Sequence, residues 1–250
     1  MADWLCDVVT GNYQSSQAEL KPSIKNCSST LYSAPTYPRS QSVPKVGVAS
    51  NSQTLPHSRS TINPSPPASI PQGFEDAGSG RLVTFNEAQL LTTLIDHIGR
   101  GVGLQAGIPI AIPQGRSVDE IRIRTVGVCP GSGSGVLLCG SDIPDLLFTG
   151  EMSHHETLAA TERGSVVISL AHSNSERGYL RAVMQSKLQE ELSQCWKSER
   201  QAALRALQDS AKQGGATPAV FGEEVYMDAS IDVSVSEADR DPYGIMIWRA

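Results

Sequence analysis

Between Lys21 and Gly73 the chain contains no Asp and no Glu. Ser, Pro, Thr, Asn and Gln dominate there, as in SSTLYSAPTYPRSQSVPK and INPSPPASIP. So little apolar surface cannot offset the entropy of ordering a segment. Residues 11–72 therefore read as a disordered Ser/Pro-rich linker. A Pro-rich docking segment is the alternative, but no clean P-x-x-P repeat with basic flanks supports it. Aromatics are also scarce, at 5%, as expected of a chain only part of which packs. No C-x-x-C pair exists. The five cysteines, Cys6, Cys27, Cys129, Cys139 and Cys195, are odd in number and dispersed, which fits reduced intracellular thiols better than a disulfide framework. No apolar run is long enough to span a bilayer. Met1-Ala2-Asp3-Trp4 lacks the basic start and apolar middle of a signal peptide. A net charge of -6 argues against a whole-chain grip on nucleic acid. These absences describe a soluble, cytoplasmic chain without membrane or direct nucleic-acid partners.

What remains is patterned. Residues 2–9 place Trp4, Leu5, Val8 and Val9 at helical spacing, but two turns are too short to be stable alone. Residues 1–10 thus read as the remnant helix of a lobe. Residues 73–250 read as an α/β domain with a carboxy-terminal helical extension. Leu82 to Phe85 is a short strand. Thr84 and Glu87 suggest a capping box for a helix to about Ile98, with Leu90, Leu91, Leu94, Ile95 and Ile98 on one stripe. Residues 105–119 form a Gly/Pro loop. Ile121–Cys129, Asp145–Thr149 and Val166–Ala171 read as strands, separated by a short helix from Val136 and a longer one, Ser153 to about Arg163, with His155, Leu158 and Ala159 on one face. Strand–helix–strand repeated twice implies largely parallel pairing. The fold class is α/β, a mixed or mostly parallel sheet with flanking helices, preceded by a disordered insertion. Beyond Glu176 a long helix carries Tyr179, Leu180, Val183, Met184, Leu188, Leu192 and Trp196 on one apolar face. Gly214-Gly215 breaks its continuation, and IDVSV (231–235) reads as a late strand.

Ligands in parallel sheets gather at the carboxyl ends of strands, where His172 lies. Imidazole and carboxylate suit zinc, manganese or iron, and His172 and Glu176 share a face if Glu176 is in a first helical turn. The same spacing serves a helix start, with Ser173 as cap, Glu176 closing a capping box and His172 a satisfied strand-end residue. Two donors fall short of the three protein ligands of most zinc enzymes. His154 and His155 are adjacent, so on a helix they point apart; they suit a supporting or substrate-placing role better than ligation. GSGSG (131–135) follows a strand and precedes a helix, where backbone N–H groups can hold phosphate. It lacks the Lys-hydroxyl pair of a P-loop, and Val136 occupies the third Gly position of a dinucleotide fingerprint; a tight turn is the alternative. No cysteine is singled out as a nucleophile.

Three segments in this order and spacing, VGVCPGSGSG (126–135), TGEMSHHETLAA (149–160) and VVISLAHSNSE (166–176), resemble the carboxy-terminal part of the Nif-three-like family. These are the NGG-one-interacting-factor-three proteins, often labelled GTP cyclohydrolase I type-two homologues. ADWL (2–5), GSGRL (78–82) and DRDP (239–242) resemble it too. The resemblance implies two similar α/β lobes with a pair of divalent metals between them, and a toroidal homo-hexamer. It implies that His172 and Glu176 are ligands, matching the His and Glu of a Gly-His-x-x-[ST]-Glu motif with Ala171 in place of the Gly. The family's other ligands, a His-His and a His…Asp motif, lie in the amino-terminal half. The chain is expected to begin just after them; neither His57, in the linker, nor His97, on the leading helix near its dipole's negative end, replaces them. The expectation is an incomplete site with low metal occupancy, in a chain that is a hydrolase-like relative without activity of its own. The alternative is a non-catalytic scaffold meeting protein partners in transcriptional regulation. With a true amino terminus missing, mitochondrial and nuclear locations stand beside the cytoplasmic one.

Overall fold

A computed structural model describes residues 1–13, 54–103, 107–212, 226–238 and 241–242. The chain forms two compact units: Met1–Glu176 with Arg240–Ala250, and Arg177–Asp239.

The first unit is built on a six-stranded sheet. Its strands are β1 (His57–Pro64), β2 (Gly78–Leu90), β3 (Ile110–Ala111), β4 (Arg122–Ser132), β5 (Leu146–Glu151) and β6 (Val166–Ser169), in the order β1-β2-β4-β5-β6-β3. The centre, β4-β5-β6, is parallel, and the pairings outside it are antiparallel. The sheet is therefore mixed. Its parallel strands share one register: Val126, Leu146 and Val166 lie side by side, as do Cys129, Thr149 and Ser169. The three carboxyl ends consequently emerge together.

Apolar residues on both faces make this centre the core. Val126, Val128, Leu146, Leu147, Phe148, Val167 and Ile168 are all buried, as in a sheet covered on both sides. On one face Leu137 of α3 (Ser134–Leu137) and Ala160 of α4 (His154–Glu162) pack on Cys129, Leu147 and Val167. The face of α4 that His155, Leu158 and Ala159 share is exposed, and Ala160 is the buried residue. Ser153 and Glu156 form a capping box that sets the start of α4.

Helix α1 (Ala2–Thr10) packs on α2 (Leu91–Val102), β2 and β4. This is the partner surface that the short helix needs, and Leu5, Val8 and Val9 are buried against it. Gly101 makes the crossing possible, because a Cβ there would lie 2.7 Å from Val8 Cγ1. Bidentate Arg81–Asp3 contacts (2.8 and 3.0 Å) and an Arg59–Asp7 contact (2.6 Å) tie α1 to β1 and β2.

Several expectations need correction. Residues 57–64, inside the expected linker, are a strand. As an edge strand, half in solvent, β1 pairs through its backbone and needs few apolar side chains. Residues 14–53 lie outside the described residues. The ends flanking them meet: Leu55 N–H donates to Thr10 O at 2.9 Å. β2 runs to Leu90, through the residues expected to begin a helix. Gln89 and Leu90 pair with Ile123 and Arg122 after a register shift, and this pairing overrides the local helical pattern. The Thr84–Glu87 capping box is accordingly absent, and α2 starts uncapped after Leu90. Gly99 and Gly101 stay helical, and α2 ends at Gly103 in the left-handed region. Ile110–Ala111, expected in a loop, pairs with β6. His57 and His97 have structural partners: His57 Nδ1 meets Leu55 O at 2.6 Å, and His97 Nδ1 meets Val9 O at 3.2 Å. His97 thus faces the carboxyl end of α1, not that of its own helix.

A helix α5 (Asn174–Tyr179) leads into the second unit, continuing as a π turn (Leu180–Met184) and α6 (Gln185–Lys212). Residues 228–233 lie extended along α6, held by side chains. Gln189 donates to Ile231 O (2.6 Å) and accepts from Val233 N–H (2.8 Å), while Trp196 Nε1–H donates to Asp228 O (2.8 Å). Residues 231–235 are therefore not a sheet strand; glutamine amides take the place of a neighbouring strand. The expected apolar face is largely unburied: Leu180, Met184, Leu188 and Leu192 are 38–41% exposed.

Candidate metal centre

The parallel register places Thr149 beside Ser169, so two residues further on Glu151 comes next to the turn that carries His172. That turn is tight. Ala171 has φ 68°, a left-handed conformation costing an L-residue about 1–2 kcal/mol. The resemblance motif has Gly at this position, which would relieve the cost. Reversing the chain here turns His172 back over the strand ends.

Three side chains converge. His172 Nδ1 is 2.7 Å from Glu151 Oε1, and His172 Nε2 is 3.7 Å from Glu176 Oε1. Glu176 lies in the first turn of α5, four residues on, and so shares a face with His172. The two sequence alternatives can now be weighed. Ser173 N–H, which a capping box would give to Glu176, donates to Asp241 Oδ2 at 3.1 Å. The Glu176 carboxylate turns to the imidazole instead.

Serine and glycine build the floor. Buried Ser175 donates to His172 O (2.7 Å) and accepts from Gly131 N–H (2.8 Å). Gly131 O accepts from Thr149 Oγ1 at 3.2 Å. These contacts occupy the polar groups of Gly131, which sits at φ +66°. A Cβ there would lie 3.0 Å from Glu176 Oε1 and 3.1 Å from His172 Nε2, so its absence keeps the pair's open side clear. In the GSGSG run, Gly131 and Gly133 thus serve close packing. β4 continues to Ser132, and Gly133 is packed against Thr149.

The electrostatics follow. The His172 pKa is raised, first by the hydrogen bond to Glu151, against which desolvation acts, and then by the charges of Glu151, Glu176 and Asp241. The stabilisation from protonated His172 is complete below the ordinary value of 6.5 and is lost as pH rises through the raised value. Glu151→Gln is expected to lower the His172 pKa, read by NMR titration of the ring; an unchanged midpoint would refute the Glu151 contact.

His154 and His155 are exposed on the first turn of α4, rings 5.5 Å apart and edge to face. Among the described residues no hydrogen bond or ion pair joins either to His172 or Glu176. Nor do the described residues hold a ready-made group of three or more metal-ligating side chains. Burial pushes the Cys6 thiol up to about 12 and raises that of Cys129, so neither is a thiolate at neutral pH. Glu151 was missed in the sequence, although equal spacing of the three parallel strands would have pointed to it.

The family model Duf34/NIF3 (NGG1p interacting factor 3) matches residues 3–203. NIF3-like protein 1 of Homo sapiens is 44% identical over 169 residues, 68% of this chain and 34% of that protein. NGG1-interacting factor 3 of Saccharomyces cerevisiae is 40% identical over 114 residues, 46% of this chain and 40% of the yeast protein. The chain thus aligns with well under half the length of these relatives. Among solved structures, a Bacillus cereus protein related to NIF3 aligns with TM-score 0.38 and 22% identity, over 47% of this chain and 30% of that one. No helix among the described residues is long and apolar enough to cross a membrane.

Proposed function

Because the chain belongs to the Duf34/NIF3 family, we propose that His172 and Glu176 are its contribution to a divalent-metal site of a hydrolase-like protein whose substrate is unassigned. The observation carrying this reading is the 3.7 Å gap between His172 Nε2 and Glu176 Oε1. Two metal–ligand bonds of about 2.0–2.2 Å can bridge it. Glu151 supports the reading, because a carboxylate on Nδ1–H fixes the imidazole tautomer and leaves Nε2 to bind. Gly131 leaves the space in front of the pair open. Zinc, manganese or iron suits this nitrogen–oxygen set. When bound, such an ion supplies an acidified water for hydrolysis. The chain's own residues hold and orient: Glu151 retains the Nδ1 proton, Ser175 fixes the His172 carbonyl, and His154 or His155 places substrate. With two ligands from the described residues the occupancy is low, further donors come from outside these residues, and the same reading has the chain as a homo-oligomer.

A second reading is a non-catalytic interaction protein of the cytoplasm, mitochondrion or nucleus. The exposed Leu180–Met184–Leu188–Leu192 stripe favours it, as does the yeast relative's name of interacting factor. Elemental analysis of the purified chain beside a His172→Ala/Glu176→Ala variant separates the two. Bound zinc, manganese or iron that the variant loses supports the metal site. Two metal-free proteins would leave the interaction reading.

A further inference from the structure

Asp241 belongs to the DRDP run, which the proposed site has not so far used. In sequence it is separated from Glu176 by the whole of Arg177–Asp239, yet it belongs to the same compact unit as the site. We infer that Asp241 is the positioning residue of the His172–Glu176 pair, acting through the peptide that joins His172 to Ser173. This rests on the metal-site reading above.

That peptide is held at both ends. Its carbonyl, His172 O, accepts from Ser175 Oγ at 2.7 Å. Its N–H, on Ser173, donates to Asp241 Oδ2 at 3.1 Å. Fixing both groups fixes the plane of the peptide; with the chain before it held in β6, this sets the direction of the Cα–Cβ bond of His172. The need for this is visible one residue earlier, where Ala171 stands at φ 68°; a strained turn relaxes unless its surroundings hold it. Ser175 supplies the inner hold and Asp241 the outer one.

The same hydrogen bond satisfies a donor at the start of α5. The first N–H groups of a helix lack intrahelical partners, and a nearby Ser, Thr, Asp or Asn side chain usually accepts from one. Here a carboxylate 68 residues away does so. Glu176 is therefore spared the capping role that its position suggests. A capping Glu176 would turn toward the helix start and away from His172. Asp241 thus acts on both ligands: it steadies the turn that carries one and frees the other. Its charge also acts on His172.

The test uses the full chain with zinc as probe. Zinc affinity is measured by competition with a chromogenic chelator for wild type, Asp241→Ala and Asp241→Asn. The metal-free proteins are compared by NMR of the Ser173 amide and the His172 ring, with melting temperature as the folding control. Asp241→Ala is expected to weaken zinc binding by about 10- to 100-fold, the range for residues supporting a ligand, and to move both NMR signals. Asp241→Asn keeps an acceptor and is expected to stay within about threefold of wild type. An Ala variant that binds like wild type and leaves the Ser173 amide in place overturns the inference. So does an Asn variant as weak as the Ala variant, since charge alone would then be responsible. If wild type binds no zinc, the metal reading fails, and the Ser173 and His172 signals still decide whether Asp241 positions the turn.

Discussion

Gly131→Ala is expected to lower zinc affinity by about 100-fold, at the upper end of what changes around a ligand cause, while the protein remains folded. The added methyl would lie 3.0 Å from Glu176 Oε1 and 3.1 Å from His172 Nε2. Both are ends of side chains, so they move aside, and their spacing is lost. The backbone bears a second cost, because φ +66° is unfavourable for Ala by about 1–2 kcal/mol. That is a tolerable fraction of a domain's stability. Isothermal titration with zinc, beside circular dichroism, checks both parts. Unchanged zinc affinity in a folded variant would mean that the space before the pair is not where metal enters.

Phe148→Ala is expected to cost about 3–5 kcal/mol, a large share of the roughly 5–15 kcal/mol that stabilises a domain. Phe148 is fully buried in the middle strand of the parallel centre, paired with Val128 on one side and Ile168 on the other. Its neighbours on both sides are themselves paired in the sheet, so they collapse only partly into the vacancy and a cavity persists. Urea unfolding would show a lower midpoint with an unchanged slope. A loss below about 1 kcal/mol would mean that the sheet is packed far more loosely than its burial implies.

Both predictions concern the region that was most legible in the sequence. Continuous apolar runs of this length, rich in β-branched residues, read as buried strands, and β4, β5 and β6 lie within a few residues of the runs that predict them. His172 and Glu176 come together because strand end and helix start are adjacent in sequence. What could not be read depended on partners far along the chain. β1 is polar because an edge strand needs only backbone pairing. Residues 86–90 have a helical pattern, but Ile123 and Arg122 hold Gln89 and Leu90 in the sheet. Glu151 reaches the site through strand register, legible only in the equal spacing of β4, β5 and β6, and Asp241 through a return of the chain that no local spacing records. The apolar face of residues 180–192 was real as a pattern, yet burial did not follow, since periodicity states which residues share a face and not whether anything covers it.

The contact between Leu55 N–H and Thr10 O has a consequence for engineering. Thr10 and Leu55 lie side by side although far apart in sequence, so a short tether spans the gap between them. Closing a loop costs about 0.6 kcal/mol more for each doubling of its length. A tether of about five residues in place of residues 14–53 is long enough to rejoin the two ends at a small closure cost. The same junction is where a tag, a probe or a second folded domain can be spliced in with the sheet and the His172 turn left as they are.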